Sequence, residues 1–413
     1  MSDTRWLVML CASRLFFGFI FMAFSSAAPL LLVDWTLTAS QVGMINAGWH
    51  LGYMASLVSA GLLSNQWGAK KTFLRMSWAA CLSAWLFAFF ANNFSSALAL
   101  YSLAGLCSGG SYTTGLTLIS ERFEPKDRGV AMGWFLAASS IGYALFLFTG
   151  GALMSAAGWR ASFWLAALGP MVGLAIAVKV LSDSENIVRT HPTNRRLEAL
   201  KSVMRNKPAM LAIWAYTFHS WELLALWAWL PAYFAAAAAN QHSIATAAGI
   251  GSALAGLTFL TNAIGSIAGG HMSDTFGRRR VMLLMTGTSI GFSFLFGWLF
   301  TMPLWLLTLV AISYNMAALG DSSVYSSALS ELVPAEDLSI AYALRATLGF
   351  GLGALSPLAL GFALDFASLE TGTRGMVAWG VAWSVLGLGA LPGLWAISRM
   401  QDGLRLTHSS HPL

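Results

Sequence analysis

The chain has 413 residues, of which 57% are hydrophobic and only 10% charged, with a net charge of +6 and a mean hydropathy of +0.66. An ordinary soluble domain, in which about a quarter of residues are charged, is excluded by that balance. The three cysteines, Cys11, Cys81 and Cys107, fall inside apolar runs and are odd in number, so no disulfide framework is implied.

A membrane-crossing helix needs roughly 20 mostly apolar residues. Twelve such runs follow one another, at 6–33, 41–63, 71–91, 94–120, 129–157, 160–181, 208–236, 244–272, 281–300, 303–329, 338–365 and 374–398. The first is too long for a signal-peptide core and carries Arg14, so no cleavage is expected. With both termini in the cytoplasm, every Lys and Arg other than Arg14, Arg160, Arg345 and Arg374 lies on that side or at its interface. The positive-inside rule therefore sets the orientation. Basic loops beside anionic lipid explain the positive charge, and no nucleic-acid partner is needed. Trp35, Trp67 and Trp159 stand at run ends, where indole favours the interface.

Six runs precede the polar stretch 182–207 and six follow it. This divides the chain into a first six-helix bundle (1–181), a cytoplasmic linker (182–207), a second bundle (208–400) and a tail (401–413). Within the linker, residues 195–205 alternate apolar and basic positions at helical spacing, a pattern suited to a membrane surface.

Two turns share one pattern. Gly61-Leu-Leu-Ser-Asn65-Gln-Trp-Gly68-Ala-Lys70-Lys71 follows the second run, and Gly270-His-Met-Ser-Asp274-Thr-Phe-Gly277-Arg-Arg279-Arg280 follows the eighth, 209 residues later (270 minus 61). A second pair agrees: Glu121, Asp127 and Ala131 map onto Glu331, Asp337 and Ala341, 210 residues on (331 minus 121). Two matches at nearly one offset indicate an internal duplication. An even number of spans per copy makes the copies parallel, related by an axis along the membrane normal.

On these residues the chain resembles the major facilitator superfamily, whose signature turn reads Gly-x-x-x-Asp-(Arg/Lys)-x-Gly-x-(Arg/Lys)-(Arg/Lys). The second copy fits at Gly270, Asp274, Gly277, Arg279 and Arg280, while the first has Asn65 for the acid and Gln66 for the base. The resemblance implies an all-α membrane fold of twelve helices in two pseudo-symmetric bundles. It also makes Gly61, Asn65, Gly68 and Arg128, with the second copy, a cytoplasmic gate motif. Because Asn65 is neutral, Arg128 is expected to lack its usual anionic partner, and Leu338 stands where that arginine would recur.

Charges in hydrocarbon cost at least ~2.5–3.5 kcal/mol on insertion scales, so ionisable residues within runs are the default functional candidates. Arg14 lies roughly 12 Å deep at 1.5 Å per residue, and the resemblance turns its helix toward a central cavity. Its guanidinium suits an anionic substrate; an internal ion pair or snorkelling are the alternatives. His219 and Glu222, three residues apart, share a face and are candidates for proton coupling or for a fixed pair with each other or with Arg14. Asp321 and Arg345 lie at similar depth on successive helices, and a mutual ion pair is the simplest account; otherwise Arg345 is a second anion contact. His50 is a polar contact between bundles or part of the proton path. Tyr101, Tyr112, Trp221, Tyr314 and Asn315 complete the candidate substrate wall.

No phosphate loop, His-Glu-x-x-His or Cys/His cluster occurs, so neither a nucleotide-driven pump nor a metal site is visible, and no cofactor is expected. Phe146 and Leu147 replace the Gly-Pro of the superfamily's drug:proton antiporters. The reading is therefore a secondary transporter rather than an enzyme. It is expected as a monomer in the bacterial inner membrane, moving a small organic or inorganic anion, with proton symport as the expected coupling. Alternatives are a proton-coupled exporter of amphipathic compounds, with Tyr101, Trp221 and Tyr314 as an aromatic wall, or a non-transporting receptor or scaffold.

Overall fold

The apolar runs become helices with ordinary punctuation. A computed structural model describes residues 1–188, 193–334 and 336–400, and sixteen α-helices and one 3₁₀ turn are found among them, with no strand. The tail at 401–413 lies outside the described residues. In the first part are α1 (Asp3–Phe17), α2 (Phe19–Asp34), α3 (Ala39–Trp67), α4 (Ala69–Phe90), α5 (Phe94–Arg122) and α6 (Pro125–Leu181). After α7 (Thr193–Arg205) come α8 (Lys207–Ala238), α9 (Ile244–Leu260), α10 (Asn262–Phe276), α11 (Arg278–Phe296), α12 (Leu304–Gly320), α13 (Ser322–Leu332), α14 (Leu338–Gly353), α15 (Ser356–Thr371) and α16 (Met376–Ser398).

Local chemistry sets the ends. Thr38 and Asn93 cap α3 and α5 with side-chain acceptors, satisfying amides that the first helical turn leaves open. The duplicated turns close at Gly68 and Gly277, with φ of 82° and 91°, a left-handed range that a side chain disfavours. Gly158, at φ 80° and ψ 171°, divides α6 into two helices.

Among the described residues, eight stretches are long and apolar enough to cross a membrane. The helices α3, α5 and α8 are also 29, 29 and 32 residues long but lie outside those eight. Polar and interfacial residues such as Asn46 and His50 in α3, or His219, Glu222 and four tryptophans in α8, lower their hydropathy.

The packing differs along the molecule. One large core is common to both parts, joining Trp49, Phe87 and Tyr101 to Trp229, Tyr233 and Trp383. Toward the basic turns it gives way to separate cores, one of Trp6, Phe73, Phe135 and Leu174 in the first part, the others of Met282, Tyr325 and Ile397 and of Val203, Ile213 and Leu329 in the second. At the opposite end, the far end below, the parts are bonded together: Asp365 of α15 accepts from the Ala39 and Ser40 amides at 2.9 and 2.7 Å, and Ser155 donates to the Ala245 carbonyl at 3.1 Å. Gly43 lies so close to the Pro357 carbonyl that a Cβ would collide with it.

The start of the 182–207 stretch is tied to the first part. Lys70 Nζ donates to the Ser184 carbonyl at 2.7 Å, Trp6 Nε1 to Ser184 Oγ at 3.0 Å, and Asn186 Nδ2 to the Trp67 carbonyl at 2.8 Å. Its end is tied to the second part, where Val203 enters a core with Leu329 and Val333, and Asn206 Nδ2 donates to the Leu332 carbonyl at 2.8 Å.

Candidate functional site

Arg14 is buried in mid-molecule, 6% exposed. The run of α1 and α2 breaks at Gly18, four residues on, and the guanidinium leaves α1 sideways toward α5 and α6. Its Nε donates to Ser139 Oγ at 2.8 Å, Nη1 to Ser111 Oγ at 3.1 Å and Nη2 to the Tyr53 hydroxyl at 3.5 Å. The rings of Tyr112 and Phe135 stand 5.2 and 5.8 Å from its central carbon. Among the described residues no carboxylate comes within ion-pair distance of it. Hydroxyls satisfy donors without neutralising a charge, so this group is positioned but uncompensated.

Arg345 of α14 is the corresponding cation of the second part. Its Nη1 donates to Ser326 Oγ at 2.9 Å, and Tyr216 and Tyr342 stack on its head at 4.4 and 4.9 Å. The expected Asp321 to Arg345 pair is corrected here. Asp321 sits at the break between α12 and α13, which turns its carboxylate toward α8 and α11. Its Oδ1 lies 3.1 Å from His219 Nδ1, near in distance but off the hydrogen-bonding direction, and Oδ2 accepts from Thr286 at 2.8 Å. His219 Nε2 pairs with Ser322 Oγ at 3.0 Å.

Glu222 does not pair with His219 or Arg14 either. It accepts from Ser293 Oγ at 2.5 Å, and that hydroxyl also pairs with Tyr314 at 2.5 Å. Sharing a helix face brings two side chains near one another but leaves each free to find a partner on a different neighbour. His50 is 3% exposed with Nδ1 unpartnered, against Phe21 at 5.7 Å. It lines a space between the two parts with Asn46, Trp49 and Trp227.

Of the expected substrate wall, only Tyr112 adjoins Arg14. Tyr101 is 0% exposed, packed on Trp49 and Phe87, and its hydroxyl donates to the carbonyls of Ile20 and Phe21. Trp221 lies against Gly389 of α16, and Tyr314 among Phe292, Phe296 and Trp383. Asn315 donates to the Thr258 carbonyl at 2.8 Å and to Asn262 Oδ1, and accepts from Trp227 Nε1 at 3.2 Å. These four hold helices together, and the aromatic wall of an exporter is not assembled from them. Tyr53, Ser111, Ser139, Tyr216 and Ser326 were missed. Ser111, next to Tyr112, and Ser139, on the same helix face as Tyr143, gave only ordinary packing signals.

At the gate motif, Asn65 Nδ2 donates to its own helix at the Gly61 carbonyl, 2.7 Å, and Arg128 Nε to the Phe123 carbonyl, 2.8 Å. The second copy is latched by a residue not expected for it. Arg278 reaches Asp274 Oδ1 at 2.6 Å and Glu331 Oε1 at 3.1 Å, while Arg279 Nη2 caps α16 at the Ser398 carbonyl, 2.9 Å. Arg280 is exposed.

A family model described as Major Facilitator Superfamily matches residues 10–254, more than half of the chain. The chain belongs to the major facilitator superfamily. A probable 4-methylmuconolactone transporter of Cupriavidus pinatubonensis is 27% identical, covering 95% of this chain and 91% of that protein. A probable sulfoacetate transporter of Cupriavidus necator is 25% identical over 90% of this chain and 88% of its own length. The crystal structure of a D-xylose-proton symporter superposes with a TM-score of 0.75 at 14% identity, covering 97% of this chain and 99% of the symporter. As a member of the major facilitator superfamily the chain is an integral multi-pass membrane transporter, not an enzyme.

Proposed function

We propose that this transporter moves a small organic anion across the bacterial inner membrane by rocking two six-helix bundles, residues 1–181 and 208–400, around a central site. Twelve passages, with both termini and the 182–207 linker cytoplasmic, place the basic turns on the inner face, in keeping with the charge distribution. The observation that carries the anion reading is Arg14, buried, held by three hydroxyls and without a carboxylate in ion-pair range among the described residues. An arginine cannot shed its charge in a protein, and a ligand acid is the natural counter-charge. The relative named for sulfoacetate transport agrees with an anionic substrate.

Coupling to protons is the second element of the proposal. His219 and Asp321, 4% and 1% exposed, form a buried titratable pair, and the Tyr216 ring stands between them and Arg345, 5.7 Å from the imidazole and 4.4 Å from the guanidinium. Substrate arriving at Arg345 would thus be felt by a pair of side chains that can carry a proton. Glu222, bonded to Ser293, whose hydroxyl also pairs with Tyr314, is a second proton-holding candidate one turn away, and His50 lines the space between the two parts. A monomer suffices for this mechanism.

Uptake into proteoliposomes under an imposed proton gradient tests both elements. Arg14→Ala is expected to lower uptake of an accepted anion by about 100-fold, the loss of one or two charge-assisted hydrogen bonds. Asp321→Asn is expected to retain exchange of substrate while losing acceleration by the gradient. Unchanged uptake in Arg14→Ala would remove the anion assignment, and unchanged gradient dependence in Asp321→Asn would remove the proton pair.

A further inference from the structure

We propose that the substrate is a dianion, with one acidic group held by Arg14 from the first part of the chain and the other by Arg345 from the second. This inference rests on the anion reading above and narrows its chemistry. The two arginines are connected through the packing of α14 on α3. Tyr53 of α3, whose hydroxyl lies 3.5 Å from Arg14 Nη2, packs on Phe350 of α14 at 5.4 Å, and Arg345 stands five residues before Phe350 on that helix. Tyr112 is 5.2 Å from the Arg14 head, and Tyr216 stacks on Arg345 at 4.4 Å.

Among the described residues, no carboxylate lies within ion-pair range of either cation. The nearby acids of the second part are committed elsewhere, Asp321 to His219 and Thr286, and Glu222 to Ser293. Arg345 is furthermore left with an unmet need, since its Nε is enclosed and has no hydrogen-bond partner. Ring faces and a serine hydroxyl lower the cost of the charge but accept no hydrogen bond at that atom. A monoanion on Arg14 would leave the half-buried guanidinium of Arg345, with its enclosed Nε, without a counter-charge, and a dianion compensates both.

The placement has a mechanical corollary. Because the cations belong to different parts of the chain, a ligand with two acidic groups draws those parts together, whereas a monoanion engages one of them and leaves the other as it was. Selectivity for dianions and closure around the substrate would then share one cause.

The test uses the full chain in detergent, with affinity measured by calorimetry or ligand-induced thermal shift. Succinate and sulfoacetate are compared with monomethyl succinate, acetate and methanesulfonate. The dianions are expected to bind about tenfold or more tightly than the monoanions. Arg345→Gln is expected to remove the preference of the protein for succinate over its monomethyl ester, and Arg345→Lys to recover part of it. Equal affinities of succinate and its ester for the unaltered protein, a comparison that requires no variant to fold, would overturn the dianion inference while leaving the anion reading standing. Persistence of the preference in Arg345→Gln would overturn the role of Arg345. Failure of every one of these anions to bind would overturn both.

Discussion

The far end of the molecule and the end with the basic turns solve the same problem differently. At the far end, residues of the two parts share one core, a glycine admits a backbone carbonyl, and a carboxylate of α15 caps the start of α3. At the basic end each part has its own core, and the strongest ion contacts stay within one part, as in Asp274, Arg278 and Glu331. The parts are therefore joined at one end and independent at the other, with Arg14 and Arg345 between. In the proposed cycle the contacts to be exchanged are the ones at the far end, and they rest on close approach and one carboxylate rather than on a large ionic network.

Three substitutions would break or sharpen that contrast. Gly43→Leu is expected to have the largest effect, because its side chain must displace the Pro357 backbone. Overpacking of this kind costs about 1–3 kcal/mol, and since it falls on the closed end alone, uptake should fall by about 10- to 100-fold while the three separate cores keep the protein folded. Uptake rate and melting temperature measured together check this, and normal uptake would mean that the far end need not close so tightly. Asp365→Ala comes next. It removes a carboxylate that accepts from both Ala39 and Ser40 and lies 3.5 Å from Arg374, and caps of this kind contribute about 0.5–2 kcal/mol. Labelling of a cysteine introduced at Ser40 should accelerate several-fold, and an unchanged rate would show that the cap does not hold the end shut. Asn65→Asp is expected to do least. Arg128 is turned to the Phe123 carbonyl and an exposed ion pair contributes about 0–1 kcal/mol, so uptake should change less than about twofold. A large gain would indicate that the first turn latches after all.

Sequence made the helices legible because each carries its own apolar signal, and the duplication legible because both turns need a positive φ, met by Gly68 and Gly277. Arg14 was legible as a charge within an apolar run. Its partners were not, since Ser111 and Ser139 lie 97 and 125 residues away and look like any small residue between helices. Asp321 misled for a related reason. Equal depth on successive helices suggested Arg345, but depth does not fix rotation, and the break at Asp321 directs the carboxylate to His219, 102 residues earlier (321 minus 219). The same uncertainty of rotation sent Tyr101 and Trp221 into packing. Arg278 was passed over because the motif counts the two cations after it.

In the proposed cycle the stretch between the two parts would be a leash, and a short one. Ser184 and Asn186 are bonded to the first part, and α7 leans on the second through Val203. Between Asn186 and Thr193 the chain has seven peptide steps, which reach at most roughly 25 Å when fully drawn out. If the two parts rock as proposed, the basic end would widen only as far as that length of chain allows. Lengthening it with a few glycines would loosen the stroke without touching Arg14, Arg345 or their neighbours.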